Sequence, residues 1–263
     1  MNFFIFIIKI YRSKKNTNYK KNYYFCCTIN IKPKKMKKII YLICLLSTIS
    51  VNAQYCAFFD FEANEPEMVV STIEGMMETG WGKNIQGTKS LFAFQFNGTN
   101  KATHSVQFCF PDETAFSNFL TSWRNSVDAQ LFGEKLGKFT ENISQALNMP
   151  LWYKNDWAND NVFMIYQVDV SNQSLYLNEF IEFSQKIAKK LNAESNSYGL
   201  GIPIIGKTAE FSHFIWIGSP DVKNALTKAK QMFSDPLFDD FSNNVSKISK
   251  FVNSTLMLRI MDF

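Results

Sequence analysis

Two ten-residue stretches decide the architecture: THSVQFCFPD at residues 103–112 and SHFIWIGSPD at residues 212–221. They contain the only two histidines of the chain, His104 and His213. In each stretch a hydroxyl residue precedes the histidine, six residues follow, and Pro-Asp closes the block. With 7 prolines and 11 aspartates in 263 residues, Pro-Asp at a set offset arises by chance on the order of once in a thousand, and such self-similarity marks an internal repeat.

Each block reads as a strand running into a helix. In the second, Ser212 to Gly218 is rich in β-branched and aromatic residues. Ser219, Pro220 and Asp221 then supply a cap, a first-turn proline and a first-turn acid. Upstream, residues 161–170 predict a strand. Residues 175–191 predict a helix whose inner face carries Phe180, Ser184, Ile187 and Leu191. Residues 197–207 predict a short, loose strand, with Gly199 and Gly201 read as a strand irregularity. Downstream, Val222, Ala225, Leu226, Ala229 and Phe233 line a helix. A second helical piece is expected over 235–251 and a last strand over 255–260. The order is β-α-β-β-α-β.

The first half repeats this order. Strands are expected at 55–61, 91–96 and 103–110, helices at 65–78 and 112–127, a second helical piece over 131–147, and a closing strand at 150–154. Leu131-Phe132 matches Leu237-Phe238 across a three-residue gap. The expected layout is thus a ferredoxin-like repeat at 54–157 and another at 158–263, meeting near the polar Asp156 to Asn159 junction. The fold class is α+β: two ferredoxin-like βαββαβ repeats whose sheets face each other as a pseudo-twofold α/β barrel.

This arrangement resembles the dimeric α/β-barrel superfamily, which includes antibiotic-biosynthesis-monooxygenase-like and stress-responsive barrel proteins. The second half is the most similar: a strand from His213, the Pro220-started helix, then Ser234-Asp235-Pro236-Leu237-Phe238 leading to a helix and final strand. Most members pair two chains to build the barrel; this chain departs from that pattern in carrying both halves, so a monomer is expected to form the barrel. It also implies a cofactor-independent monooxygenase as one reading of function. Some members bind haem, but histidine ligands there come from a helix, whereas His104 and His213 read as strand residues; no cofactor is expected.

The amino-terminal segment has its own character. Residues 1–53 hold 10 Lys, 1 Arg and no acid, a charge of +11; the remainder holds 17 basic and 23 acidic residues, a charge of −6. Met36-Lys37-Lys38, the apolar run to Leu46 and the exit at Ala53 read as a secretory signal peptide over 36–53. Residues 1–35 read as an over-extended gene start, the alternative being a basic extension or a first membrane anchor. The chain is therefore expected to be exported, periplasmic or extracellular, and bacterial. Its mature part is mildly acidic, which argues against nucleic acid or a membrane surface as partner. Of five cysteines, Cys56 and Cys109 lie beyond Ala53. They fall on neighbouring strands and can form one disulfide, or remain two buried thiols.

Diagnostic catalytic signals are absent from the sequence. It has no nucleophile elbow, phosphate loop or dinucleotide fingerprint, and two distant histidines fit no zinc spacing. His104 and His213 are candidate ligand-binding groups, or repeated structural histidines near strand ends. Trp152, Tyr153 and Trp157 cluster at the junction, and Trp152 and Trp216 are candidate ligand contacts, although aromatics also fill cores. Trp216 has the opposite strand parity from His213. The functional expectation is a small apolar molecule bound between the two sheets, the alternatives being the monooxygenase and a structural duplicate with a filled core.

Overall fold

The computed structural model describes residues 54–206 and 210–263. The expected signal segment and over-extended start lie outside those residues. Eight strands and seven helices are present: β1 (Tyr55–Ala63), α1 (Pro66–Met77), α2 (Gly80–Lys83), β2 (Thr88–Phe96), β3 (His104–Phe110), α3 (Glu113–Asn125), α4 (Val127–Leu136), β4 (Thr140–Lys154), β5 (Val162–Val170), α5 (Gln173–Lys190), β6 (Tyr198–Ile205), β7 (His213–Ser219), α6 (Val222–Phe233), α7 (Pro236–Val245) and β8 (Ser249–Asp262).

The strands close into one antiparallel barrel in the order β1-β3-β2-β8-β5-β7-β6-β4. Each repeat contributes the ferredoxin-like order 4-1-3-2. The seams are reciprocal: β4 pairs with β6, and β8 pairs with β2. Closure leaves no unpaired edge, so a barrel satisfies ladder groups that two separate half-sheets would expose.

The seams explain where sequence periodicity misleads. β4 and β8 are 15 and 14 residues long. The first part of β4 pairs with β1 of its own repeat and the last part with β6 of the other. β8 does the same with β5 and then β2. The helical pieces expected over 131–147 and 235–251 therefore stop at Leu136 and Val245, and the chain beyond each turns into strand. Asn, Ser and Thr dilute the apolar alternation there, and β-bulges at both seams break its period.

The repeat register is tighter than expected. Ser126 caps α4 and Asp235 caps α7. Thr140 and Ser249 open β4 and β8, each donating its hydroxyl, at 3.0 Å, to the carbonyls of Leu136 and Val245. These pairs keep the 109-residue spacing of the histidines, so the three-residue gap is not needed. The Pro-Asp signal is also reassigned. Asp112 and Asp221 are the N-caps, accepting from Ala115 N and Asn224 N at 2.8 and 2.7 Å. Ser219 is not a cap; it is buried at the end of β7.

Strand alternation assigns side chains to two layers. Ala57, Phe61, Val106, Phe108 and Phe110 face the first helical layer, where they pack on Val69, Ile73, Met76, Phe119 and Phe132. Phe92, Phe163, Phe214, Trp216 and Met257 point into the barrel and pack on one another. Gly199 and Gly201 belong to the regular β6–β7 ladder. A Cβ at Gly199 would lie 2.4 Å from the Trp216 ring, and one at Gly201 2.6 Å from the Phe214 ring. These glycines make room for two rings on the neighbouring strand, and on the other side of β6 the pairing with β4 is irregular at Gly201, opposite the bulge between Pro150 and Trp152.

Candidate functional site

The two histidines sit on the outer faces of β3 and β7, under the helices. In the first repeat, Thr103 Oγ1 accepts from Ala63 N at 2.8 Å and lies 2.9 Å from His104 Nδ1. In the second, Ser212 Oγ accepts from Val170 N at 2.7 Å and lies 2.8 Å from His213 Nδ1. Each hydroxyl also lies 3.5 Å from a carbonyl of the same neighbouring strand, Phe61 O or Val170 O, so its proton is placed between that carbonyl and Nδ1. His213 Nε2 faces Gln173 Oε1 at 3.2 Å. His104 stacks on Phe61 with ring centroids 6.0 Å apart. Burial pushes its pKa below the ordinary imidazole value. The duplicated hydroxyl-histidine pair thus ties the start of one strand to the end of its neighbour, and neither ring lines a major cavity among the described residues.

Trp152 packs outward against Phe180 and Tyr198, at ring distances of 6.0 and 5.9 Å. Trp216, on the other face, lines the barrel interior. The four candidate ligand residues are therefore not brought together. Cys56 and Cys109 stand opposite each other on β1 and β3 and are disulfide-bonded, with Cα atoms 4.0 Å apart.

Three spaces stand out among the described residues. The first lies at one end of the barrel, is about 70 Å³, and is lined by Cys56, Phe92, Phe163, Trp216 and Met257 among others. Arg259 closes in on it: the guanidinium lies 5.4 Å from the centroid of Phe92 and 5.6 Å from that of Phe163, and is paired with Asp262 at 2.7 Å. The space between the sheets is thus largely filled by rings at this end. The second is the opposite, polar end of the barrel, about 440 Å³.

The third is the largest, about 540 Å³, and lies between the outer face of the second repeat's sheet and helices α5, α6 and α7. Its walls include Tyr166, Tyr176, Phe180, Phe183, Phe241 and Lys228. The Tyr166 phenol is pushed up to about 12 by burial and the Tyr176 phenol is raised further still. Both remain neutral donors near neutral pH rather than bases.

The repeat explains why this space exists. In the first repeat Trp81, Phe119 and Trp123 form a mutually packed set, with centroid distances of 6.0, 5.3 and 5.8 Å. Counting from the helix caps Asp112 and Asp221, Lys228 and Met232 stand at the places of Phe119 and Trp123. Trp81 belongs to the separate short helix α2, capped by Thr79, where α5 instead runs unbroken to Lys190, and Ala188, Lys228 and Met232 all line the cavity. α6 packs on its sheet through Ala225 and Ala229. One helical layer is filled by indole and phenyl rings; the other has smaller or flexible side chains and an apolar opening. The sequence carried this signal in the paired positions, but it is visible only once the cap-to-cap register is known.

Among the described residues no group of three or more histidine, cysteine or acidic side chains could hold a metal, and no helix is long and apolar enough to cross a membrane. No family model and no curated protein matches the chain. Solved structures do. A candidate monooxygenase from Lactobacillus acidophilus matches with a TM-score of 0.55 at 12% identity, covering 80% of this chain and 95% of that one. A candidate monooxygenase from Fusobacterium nucleatum matches with a TM-score of 0.52 at 20% identity, covering 81% and 98%. An anthrone oxidase-like protein matches with a TM-score of 0.53 at 10% identity, covering 81% and 94%. A haem-binding protein from Thermus thermophilus has a TM-score of 0.51 at 7% identity. The residues here do not fit histidine-ligated haem: both imidazoles hold strand ends, and neither faces a cavity. A tyrosinate ligand is opposed by the raised phenol of Tyr166. The chain has the dimeric α/β-barrel fold, with both halves of the barrel in one polypeptide.

Proposed function

We propose that this protein binds a small, largely apolar aromatic molecule, not between its sheets but in the cavity beneath helices α5, α6 and α7. One observation carries the proposal. At the places where the first repeat holds Phe119 and Trp123, the second has Lys228 and Met232, and with Ala188 of α5 these line an opening of about 540 Å³. That volume is in the range of small-molecule sites, which combine apolar walls with a few polar groups. Phe180, Phe183 and Phe241 offer ring faces. The Tyr176 hydroxyl offers a hydrogen bond, and the Tyr166 hydroxyl, which donates to Met164 Sδ, keeps its oxygen as an acceptor. The Lys228 ammonium, one of whose N–H groups donates to the Leu191 carbonyl, keeps two N–H groups and its positive charge for an oxygen substituent on the ligand.

A second reading, oxidation of such a ligand without a cofactor, draws on the candidate monooxygenases and the anthrone oxidase-like protein of the same fold. Here Lys228 would stabilise a phenolate, the electron-rich form of a phenolic substrate. Fold likeness alone is a weak warrant for activity, so binding is the conclusion and turnover the subordinate reading.

The test is titration of the purified protein with 1-naphthol and with anthrone, followed by fluorescence. Saturable binding by the wild type and its loss in Lys228→Phe/Met232→Trp, a variant that rebuilds two rings of the first repeat, is the expected result. Equal binding by both proteins would place the ligand elsewhere. Consumption of dissolved oxygen with anthrone would extend the reading to catalysis.

A further inference from the structure

The polar end of the barrel is a second, chemically different space. It opens where β1 and β5 end and lies across the barrel from the ring-filled end. Asp60 of β1 reaches into it. Its carboxylate accepts from Ser105 Oγ at 2.6 Å and from Ser144 Oγ at 2.9 Å, one hydroxyl to each oxygen. A carboxylate has about four acceptor positions, so further capacity remains. The twin position in the second repeat, counted from the ends of β1 and β5, is Gln167, which lines the same space. The cavity thus carries an acid from one repeat and an amide from the other, where exact repetition would give two of a kind.

The surroundings select the charge of an occupant. Among the described residues lining the space, Asp60 and Glu210 are the charged ones, and both are acidic. Ser105 and Ser144 are neutral donors, so among the described residues of the wall Asp60 has no cationic partner, and burial pushes its carboxyl pKa up; a bound cation would supply the counter-charge that favours the carboxylate. A buried carboxylate without a counter-charge is costly, and an anionic ligand would add to that cost. Phe58, Phe94, Phe211 and Phe214 share the wall. Aromatic rings together with a carboxylate attract an organic cation, by ring quadrupole and by charge. The scaffold around them is fixed: Thr255 Oγ1 donates to Asn97 Oδ1 at 2.9 Å, and Asn97 Nδ2 donates to Ala102 O at 3.0 Å. We propose that this end of the barrel, a cavity of about 440 Å³ holding the Asp60 carboxylate among four phenylalanines, binds a small organic ammonium ion.

The test is isothermal titration of the full chain with choline and with tetramethylammonium, with glucose as the neutral control and acetate as the anionic one. The expected result is binding of the two cations, no detectable binding of the controls, and at least 10-fold weaker binding in Asp60→Asn. Gln167→Lys, which places a cation in the wall of the same cavity and leaves the serine contacts of Asp60 in place, is expected to abolish choline binding even if Asp60→Asn folds poorly. Glucose binding comparable to choline, or unchanged choline affinity in both variants, would overturn the proposal. Naphthol binding beneath the helices is expected to be unaffected by either substitution, so the two cavities are tested separately.

Discussion

His104 and His213 were the residues with evident chemical potential in the sequence, and their partners assign them a structural part. The hydroxyl of Thr103 or Ser212 is committed on one side to a backbone N–H and on the other to the imidazole. Ser212→Val would leave the Val170 N–H without its acceptor, at a cost of about 1–3 kcal/mol. Urea denaturation is expected to show that loss. The pH dependence comes from burial of His104. Unfolded imidazole titrates near 6.5 and the folded group below that. Between the two values the unfolded state binds more protons, so stability is kept above about pH 6.5 and lost as pH falls below it. Asp60 works in the opposite sense, because burial pushes its carboxyl up and the folded state takes the proton first. The comparison must therefore be between proteins: His104→Asn is expected to lose less stability than the wild type from about pH 7 to about pH 5. An identical acid slope in the two would contradict the burial argument. The sequence showed that each histidine follows a hydroxyl residue. It did not show that the hydroxyl bridges to a second strand, because that contact crosses about 40 residues of chain.

At the scale of elements, the two repeats are a natural comparison of one helical layer in two packings. The first layer is filled by Trp81, Phe119 and Trp123; the second is open at Ala188, Lys228 and Met232. Lys228→Phe/Met232→Trp is expected to fold, to bury added ring surface and to raise the melting temperature by several degrees, each buried ring contributing on the order of 1.5–3 kcal/mol. A lower melting temperature would show that the second layer cannot accept the first layer's rings. Strands and helices in the central blocks were legible because their periods of 2 and 3.6 are clean. The first parts of β4 and β8 were not, because those strands serve two different neighbours in succession and their bulges break the alternation. Gly199 and Gly201 were legible as exceptions but not as accommodations, since the rings of Trp216 and Phe214 above them lie on another strand.

For the whole molecule, the disulfide and the reciprocal seams hold one barrel together. The Cys56–Cys109 bridge closes a 53-residue separation. Its removal in Cys56→Ser/Cys109→Ser is expected to cost about 2–4 kcal/mol by the chain-entropy argument, read as a lower midpoint in guanidinium chloride with an unchanged fold by circular dichroism. An unchanged midpoint would mean that the bridge constrains little. The fold class was readable from the duplicated block, since a repeated ferredoxin-like order leaves two sheet faces that must be covered. The position of the cavity was not, because it depends on what is missing from one helical layer relative to the other. The most direct measurement is native mass spectrometry of the wild type and of Lys228→Phe/Met232→Trp, purified in parallel without added ligand. A bound small molecule on the wild type that is absent from the variant is the expected result; the same adduct on both proteins, or on neither even after incubation with 1-naphthol, would contradict the assignment of a ligand to the space beneath α5, α6 and α7.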